Sequence, residues 1–163
     1  VSQITLTPVP LTPEAFAPFG VVFPLGKDRP GPRDAYAAPM ENLRDDAKLN
    51  VSISRPKPVA LPLMVEWLER HPFSSQTFVP LDLSRHLLLG CPSRPDGSPD
   101  IAAAVTFIGA ANQGVMYRHN VWHHPFAGLD RNGETVMLRY DDGGDRDTEW
   151  FQVENGPTIH DNA

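Results

Sequence analysis

Residues 112–126 read NQGVMYRHNVWHHPF. Asn112-Gln113-Gly114 marks a turn. Residues 115–124 then read as strand, rich in β-branched and aromatic side chains. Pro125 stops the strand, because proline has no N–H to give to a ladder. Successive strand residues point to opposite faces. Arg118 and His119 therefore oppose one another, and so do His123 and His124. Two of these histidines reach one pocket only if the chain bulges between them. Asn120 is the candidate turn or bulge, since Asn tolerates left-handed dihedrals.

The same pattern of short strand and proline-marked stop repeats outward along the chain. Residues 63–70, bracketed by Pro62 and Pro72, read as strand, as do 76–80, 86–90 and 105–108. Residues 21–25, the alternating run 50–55, 134–140 and 149–153 complete the set. Asn132-Gly133 is the strongest hairpin signal in the chain. Thr12-Pro13-Glu14 reads as a helix start over 13–19, with Gly20 ending it. Ser98-Pro99-Asp100 is read as capping one further helical turn, and 26–38 as a surface loop. Eighteen of 163 residues are proline, about twice the usual share of roughly 5%. That excess excludes long helical bundles and coiled coils. Many short strands with frequent turns indicate a mainly β fold, an antiparallel sandwich or barrel with one or two short helices. The length fits one domain over 1–163.

Acids outnumber bases 20 to 14, a net charge of −6, the reverse of a nucleic-acid binder. The longest nearly apolar stretch, 101–111, is too short to cross a bilayer. The first residues lack the plan of a secretory leader, and a start at Val1 reads as loss of an initiator Met. A single Cys, Cys91, fits a reducing compartment. A cytoplasmic protein with no nucleic-acid or membrane partner is the expectation.

Four of the six His fall in two clusters, 69–76 (ERHPFSSQ) and 117–125 (YRHNVWHHP); His86 and His160 stand alone. Both lone histidines, His86 and His160, are expected at the surface or in loops. No Cys pair, His-Glu-x-x-His, calcium loop or Gly-rich phosphate loop is present. The frame around Ser74-Ser75 is not a nucleophile elbow.

At these two clusters, over 68–81 (LERHPFSSQTFVPL) and 112–126, the chain resembles the ureidoglycolate lyase family. Weaker matches are LTPEAF at 11–16 with Gly20, Ile53-Ser54-Arg55 with Pro58, and Asp141 with Gly143-Gly144. The resemblance implies a cupin-like antiparallel β-barrel (double-stranded β-helix). It also implies a homodimer that splits ureidoglycolate into glyoxylate and urea in allantoin (purine) degradation. Against the cupin motifs, Asn120 sits at the turn and His123 at the inward His. His71 fits the first His of the other motif, Phe73 replaces its second His, and Gln76 replaces its Glu. No cofactor is then required; a divalent metal, if held, is held weakly by His71, Gln76 and His123.

Ureidoglycolate is a hemiaminal with a carboxylate, so its breakdown needs a base, an acid and a cation. His71 and His123 are the expected acid–base pair, and Gln76 and Tyr117 are expected to supply hydrogen bonds. Arg55 is the first candidate for the carboxylate and Arg118 the second, with His119 and His124 nearby. The family commonly has Arg at the place of His119, and Asp-Arg-Gly-Gly where this chain has Asp141-Asp142-Gly143-Gly144. Its Asn-rich segment is not recognisable in 36–48. Two further readings stay open: a metal-dependent cupin oxygenase or isomerase, and a cupin that binds a small ligand without catalysis.

Overall fold

The computed structural model describes residues 4–36 and 39–161. Val1, and Ala37 and Ala38 of the expected 26–38 loop, lie outside them. Along the described chain run β1 (Thr5–Leu6), β2 (Val9–Pro10), α1 (Pro13–Phe16), β3 (Gly20–Pro24), β4 (Lys48–Ser54) and β5 (Pro58–Val59). Then come β6 (Leu63–Met64), β7 (Trp67–Arg70), β8 (Gln76–Pro80), β9 (Arg85–Cys91), a 3-10 turn (Ile101–Ala103) and β10 (Val105–Ala110). The last are β11 (Gln113–Tyr117), β12 (Trp122–His123), β13 (Ala127–Leu129), β14 (Thr135–Asp141), β15 (Glu149–Gln152) and β16 (Thr158–Ile159).

The fold is mainly β, as the sequence indicates. α1 is shorter than its expected span: Thr12 caps it by accepting from the Ala15 N–H at 3.1 Å, and Ala17 already forms its C-cap. A five-stranded sheet has the order β3-β11-β8-β14-β4. A larger sheet runs β15-β7-β12-β9-β10-β2, with β13 bonded to β9 and β5, and a small one runs β1-β16-β6. Hydrogen bonding among the described residues does not close one continuous barrel. The pairing is also mixed, because β2, β1 and β5 join their sheets parallel to β10, β16 and β13.

Between the five-stranded and the large sheet lies a core of Phe16, Phe19, Val22, Phe78, Leu88, Phe107, Val115 and Tyr117. A second core, with Leu68, Leu87, Leu89, Trp122 and Ile159, covers the other face of the large sheet. β9 is therefore buried on both faces, which is why 86–91 reads as an unbroken run rather than an alternation.

Asn132-Gly133 does not close a hairpin. β13 pairs with β5 and β9, whereas β14 pairs with β4 and β8, so the turn carries the chain from one sheet to the other. Gly133 answers to space: a Cβ there would lie 2.5 Å from Leu83 Cδ2. The left-handed residue is Asp130, at φ 69°. Residues 115–124 are likewise two pieces, β11 and β12, joined by a turn in which Asn120 has φ 62°, the conformation expected of it.

His86 is not the surface or loop residue expected: it lies in β9, fully buried and stacked on Phe126 at 5.2 Å, with no hydrogen-bond partner for either ring nitrogen among the described residues. Burial pushes its pKa down to about 4. The folded state thus binds fewer protons than the unfolded chain between about pH 4 and 6.5. The stability is fully present above 6.5 and is lost as pH falls toward 4, by at most about 3 kcal/mol. Unfolding titrations of His86→Leu should show a flatter loss across that window. An acid limb identical to the parent's would mean that His86 is not its source.

Candidate active site

The two sheets bring the chemistry together from opposite sides. On the large sheet, His123 of β12 lies directly across from Glu69 of β7. On the five-stranded sheet, Gln76 of β8 is flanked by Arg139 of β14 and Tyr117 of β11. His71, one residue past β7, completes the group. Glu69 and His71 are two apart, which puts both on one face. Across the gap, His123 Nε2 lies 3.0 Å from Gln76 Oε1 and 3.5 Å from Glu69 Oε1. The His71 and His123 rings are 5.4 Å apart.

Both imidazoles have a fixed orientation. His71 Nδ1 lies 2.6 Å from the Asp147 carbonyl oxygen, and His123 Nδ1 lies 2.9 Å from that of Val121. A carbonyl only accepts, so each Nδ1 carries the proton. In the neutral ring, Nε2 is then a bare lone pair, and that of His71 is buried without a partner. Arg139 Nη1 lies 3.1 Å from His71 Nδ1 and donates to Thr148 Oγ1 at 2.8 Å. Toward a ring N–H the guanidinium acts as a positive charge, not as a hydrogen-bond donor. Burial, first, and the charge of His123, second, push the His71 pKa down to about 4, with Arg139 adding to the effect. Burial pushes the Glu69 carboxyl up, but the hydrogen bond and charge of His123, with the Arg139 guanidinium beyond it, bring its pKa below the usual value. Glu69 is therefore ionised beside His123 while His71 is neutral.

Tyr117 stacks on His123 with ring centroids 4.4 Å apart, and its hydroxyl donates to the Leu89 carbonyl at 3.3 Å. Burial raises its pKa above the usual phenol range. The hydroxyl expected to bond substrate thus bonds main chain, and the ring lies against the His123 imidazole.

A cleft of about 220 Å³ opens onto this group, lined by Arg55, Glu69, Gln76, Phe126 and Met137 among others. It is smaller than the roughly 300–1,000 Å³ typical of drug-sized ligand sites, as suits a small metabolite. Glu69 and Gln76 form part of its wall, with His123 in contact with both. Arg55 is 71% exposed and pairs with Glu134 at 2.7 Å. A larger cleft of about 450 Å³ near Leu61 and Leu129 holds none of these groups, and its Arg85 is paired with both Asp130 and Asp161.

Three expected residues are not brought in. Arg118 donates to the Ala17 carbonyl at 2.8 Å on the surface. His119 faces Glu41, with Nδ1 3.0 Å from Oε2. His124 turns to the opposite side from His123, as period two requires, with Nδ1 2.7 Å from the Pro125 carbonyl. Glu69 and Arg139 are the two residues that sequence reading passed over. Glu69 had a usable signal, its i, i+2 spacing to His71; Arg139 had none beyond its place in an alternating strand.

The donor set suits a divalent transition ion: two imidazole nitrogens and a carboxylate from Glu69, His71 and His123, within 4.8 Å of one another. The carboxylate is Glu69, whereas Gln76, the expected third ligand, is in contact with His123 Nε2.

A family model described as ureidoglycolate lyase matches residues 3–160. Proteins named ureidoglycolate lyase are similar over most of their length. That of Mesorhizobium japonicum is 35% identical over 163 residues, covering 95% of this chain and 97% of its own. That of Pseudomonas syringae pv. tomato is 33% identical over 158 residues, 93% and 92% of the two chains. That of Chelativorans sp. is 38% identical over 142 residues, 77% and 84%.

Proposed function

Because this chain belongs to the ureidoglycolate lyase family, we propose that it cleaves ureidoglycolate into glyoxylate and urea with His71 and His123 as its acid–base pair. The observation that carries this reading is the asymmetry of the two imidazoles. His71 is neutral with a bare Nε2, whereas His123 Nε2 lies between two oxygens that accept a proton-bearing nitrogen. Two like groups in unlike settings divide the work of acid and base.

His71 Nε2 takes the proton of the carbinol hydroxyl. The oxygen's electrons form the glyoxylate carbonyl as the carbon–nitrogen bond breaks, and the departing nitrogen takes a proton from His123 Nε2. The proton left on His71 then returns to His123, so no water is consumed and nothing is oxidised. Gln76 and Glu69 hold His123 toward the leaving nitrogen. Arg55, which lines the cleft, exchanges Glu134 for the substrate carboxylate, a charge-assisted pairing. Arg139 adds a second cation beside His71. A divalent ion held by Glu69, His71 and His123 would occupy the Nε2 lone pairs of both rings and would supply Lewis-acid polarisation of the carbinol oxygen in place of their proton transfers.

The test is mass balance. Urea and glyoxylate should appear in equal amounts without ammonia; ammonia in place of urea would mean hydrolysis of the ureido group and reject the lyase reading.

Assembly as a homodimer and a cytoplasmic setting belong to the same proposal. The latter is supported by a lone, buried thiol whose pKa burial raises to about 12, and no helix among the described residues is long and apolar enough to cross a membrane. A homodimer is supported by the outer face of β4, where Leu49, Val51 and Ile53 are 47%, 60% and 46% exposed. Val51→Lys should halve the mass measured by light scattering; a parent protein already monomeric, or a variant still dimeric, would rule this face out.

A further inference from the structure

We propose that Asp147 is a positioning residue that fixes the tautomer and aim of His71, with Arg44 as its buried anchor. The inference deepens the acid–base reading above and rests on it for its kinetic consequence only.

Asp147 sits in the loop between β14 and β15, where no strand ladder holds its backbone. Its carbonyl nevertheless accepts the His71 Nδ1 proton at 2.6 Å, the contact that leaves Nε2 bare. Its side chain holds that carbonyl in place. The carboxylate accepts from the Phe73 N–H at 2.7 Å, from the Ser74 hydroxyl, and from Arg44 Nη2 at 3.0 Å. Main chain and side chain of one residue thus clamp positions 71, 73 and 74. Arg44 fastens the clamp by also reaching Asp142 at 2.9 Å and the Tyr140 carbonyl at 3.0 Å. The Arg44 and Asp147 side chains are 7% and 5% exposed, so little water competes for these bonds. A partner that holds the far nitrogen of a working imidazole sets which nitrogen is free. A mere latch between loops would need the carboxylate contacts but not the ring contact.

The experiment uses the full chain, chelator-treated and labelled with ¹⁵N-histidine. Ring-nitrogen correlation spectra of the free protein report the His71 tautomer, and steady-state kinetics on ureidoglycolate report kcat and KM separately. In the parent, His71 should carry its proton on Nδ1. In Asp147→Asn, which trades an acceptor oxygen for an amide donor against Arg44 and Ser74, the ring should shift toward a mixture of tautomers. The same variant should lose about tenfold in kcat, as outer partners of site histidines typically do, with KM within about threefold. Ser74→Ala, a smaller change, should show the same shift at lower amplitude, and it decides the matter if Asp147→Asn does not fold. A His71 ring spectrum identical to the parent's in a folded variant overturns the proposal, whatever happens to activity. A tautomer shift in a protein without activity toward ureidoglycolate upholds the positioning role and rejects the substrate instead.

Discussion

His123→Ala should leave a folded protein whose turnover of ureidoglycolate is slower by about 10²- to 10⁴-fold, the usual contribution of a positioned proton donor. The loss falls on kcat, because His123 acts on the leaving nitrogen in the transition state and contributes little to ground-state binding. The variant also leaves Glu69 and Gln76 without the imidazole between them. Glu69 then has Arg139 as its remaining positive neighbour, and it lines the cleft, where water reaches it. The expected stability loss is therefore modest, about 1–2 kcal/mol. Circular dichroism and urea unfolding separate the two effects. A folded His123→Ala with parental kcat would remove His123 from the reaction.

Arg44→Met should carry the largest stability loss among the substitutions considered. Arg44 is nearly buried, and its guanidinium bridges the carboxylates of Asp142 and Asp147 and the carbonyl of Tyr140. Methionine fills much of the volume but leaves the Asp147 carboxylate, 5% exposed, without its cation beside Asp142, which keeps only the exposed Arg146. Removing one partner of such a buried pair costs about 3–5 kcal/mol. In a chain of this size that lowers Tm by roughly 10 °C. Arg44→Lys should recover only part of the loss, because an ammonium cannot span both carboxylates as a planar fork does. Pairing Arg44→Met with Asp147→Asn should recover more, since it removes the stranded charge. A loss below about 1 kcal/mol would mean that water already satisfies the acids.

The reading from sequence was strongest where the signal is local. Period-two patterns and prolines mark most strands, and Asn120 adopts the left-handed turn that its residue type favours. Sheet membership was not local. Asn132-Gly133 carries every mark of a hairpin, yet its flanking strands lie in different sheets, and only the packing of Leu83 against Gly133 shows why the glycine is there. The site divides in the same way. His71, Gln76 and His123 stand in two short motifs and meet between the sheets. Arg118 and His119 share one of those motifs but point elsewhere, because the turn at Asn120 separates them from β12. Arg44, Arg139 and Asp147 lie far from His71 in sequence and carry no motif, so only the closed fold reveals them.

The most direct measurement compares chelator-treated parent protein and a His71→Ala/His123→Ala double variant on racemic ureidoglycolate, with urea and glyoxylate quantified together over time. The expected result is equimolar release by the parent far above the spontaneous rate, and release at the spontaneous rate by the folded double variant. A parent no faster than the spontaneous reaction, or a double variant as fast as the parent, would contradict the assignment of the two histidines as the acid–base pair of a lyase.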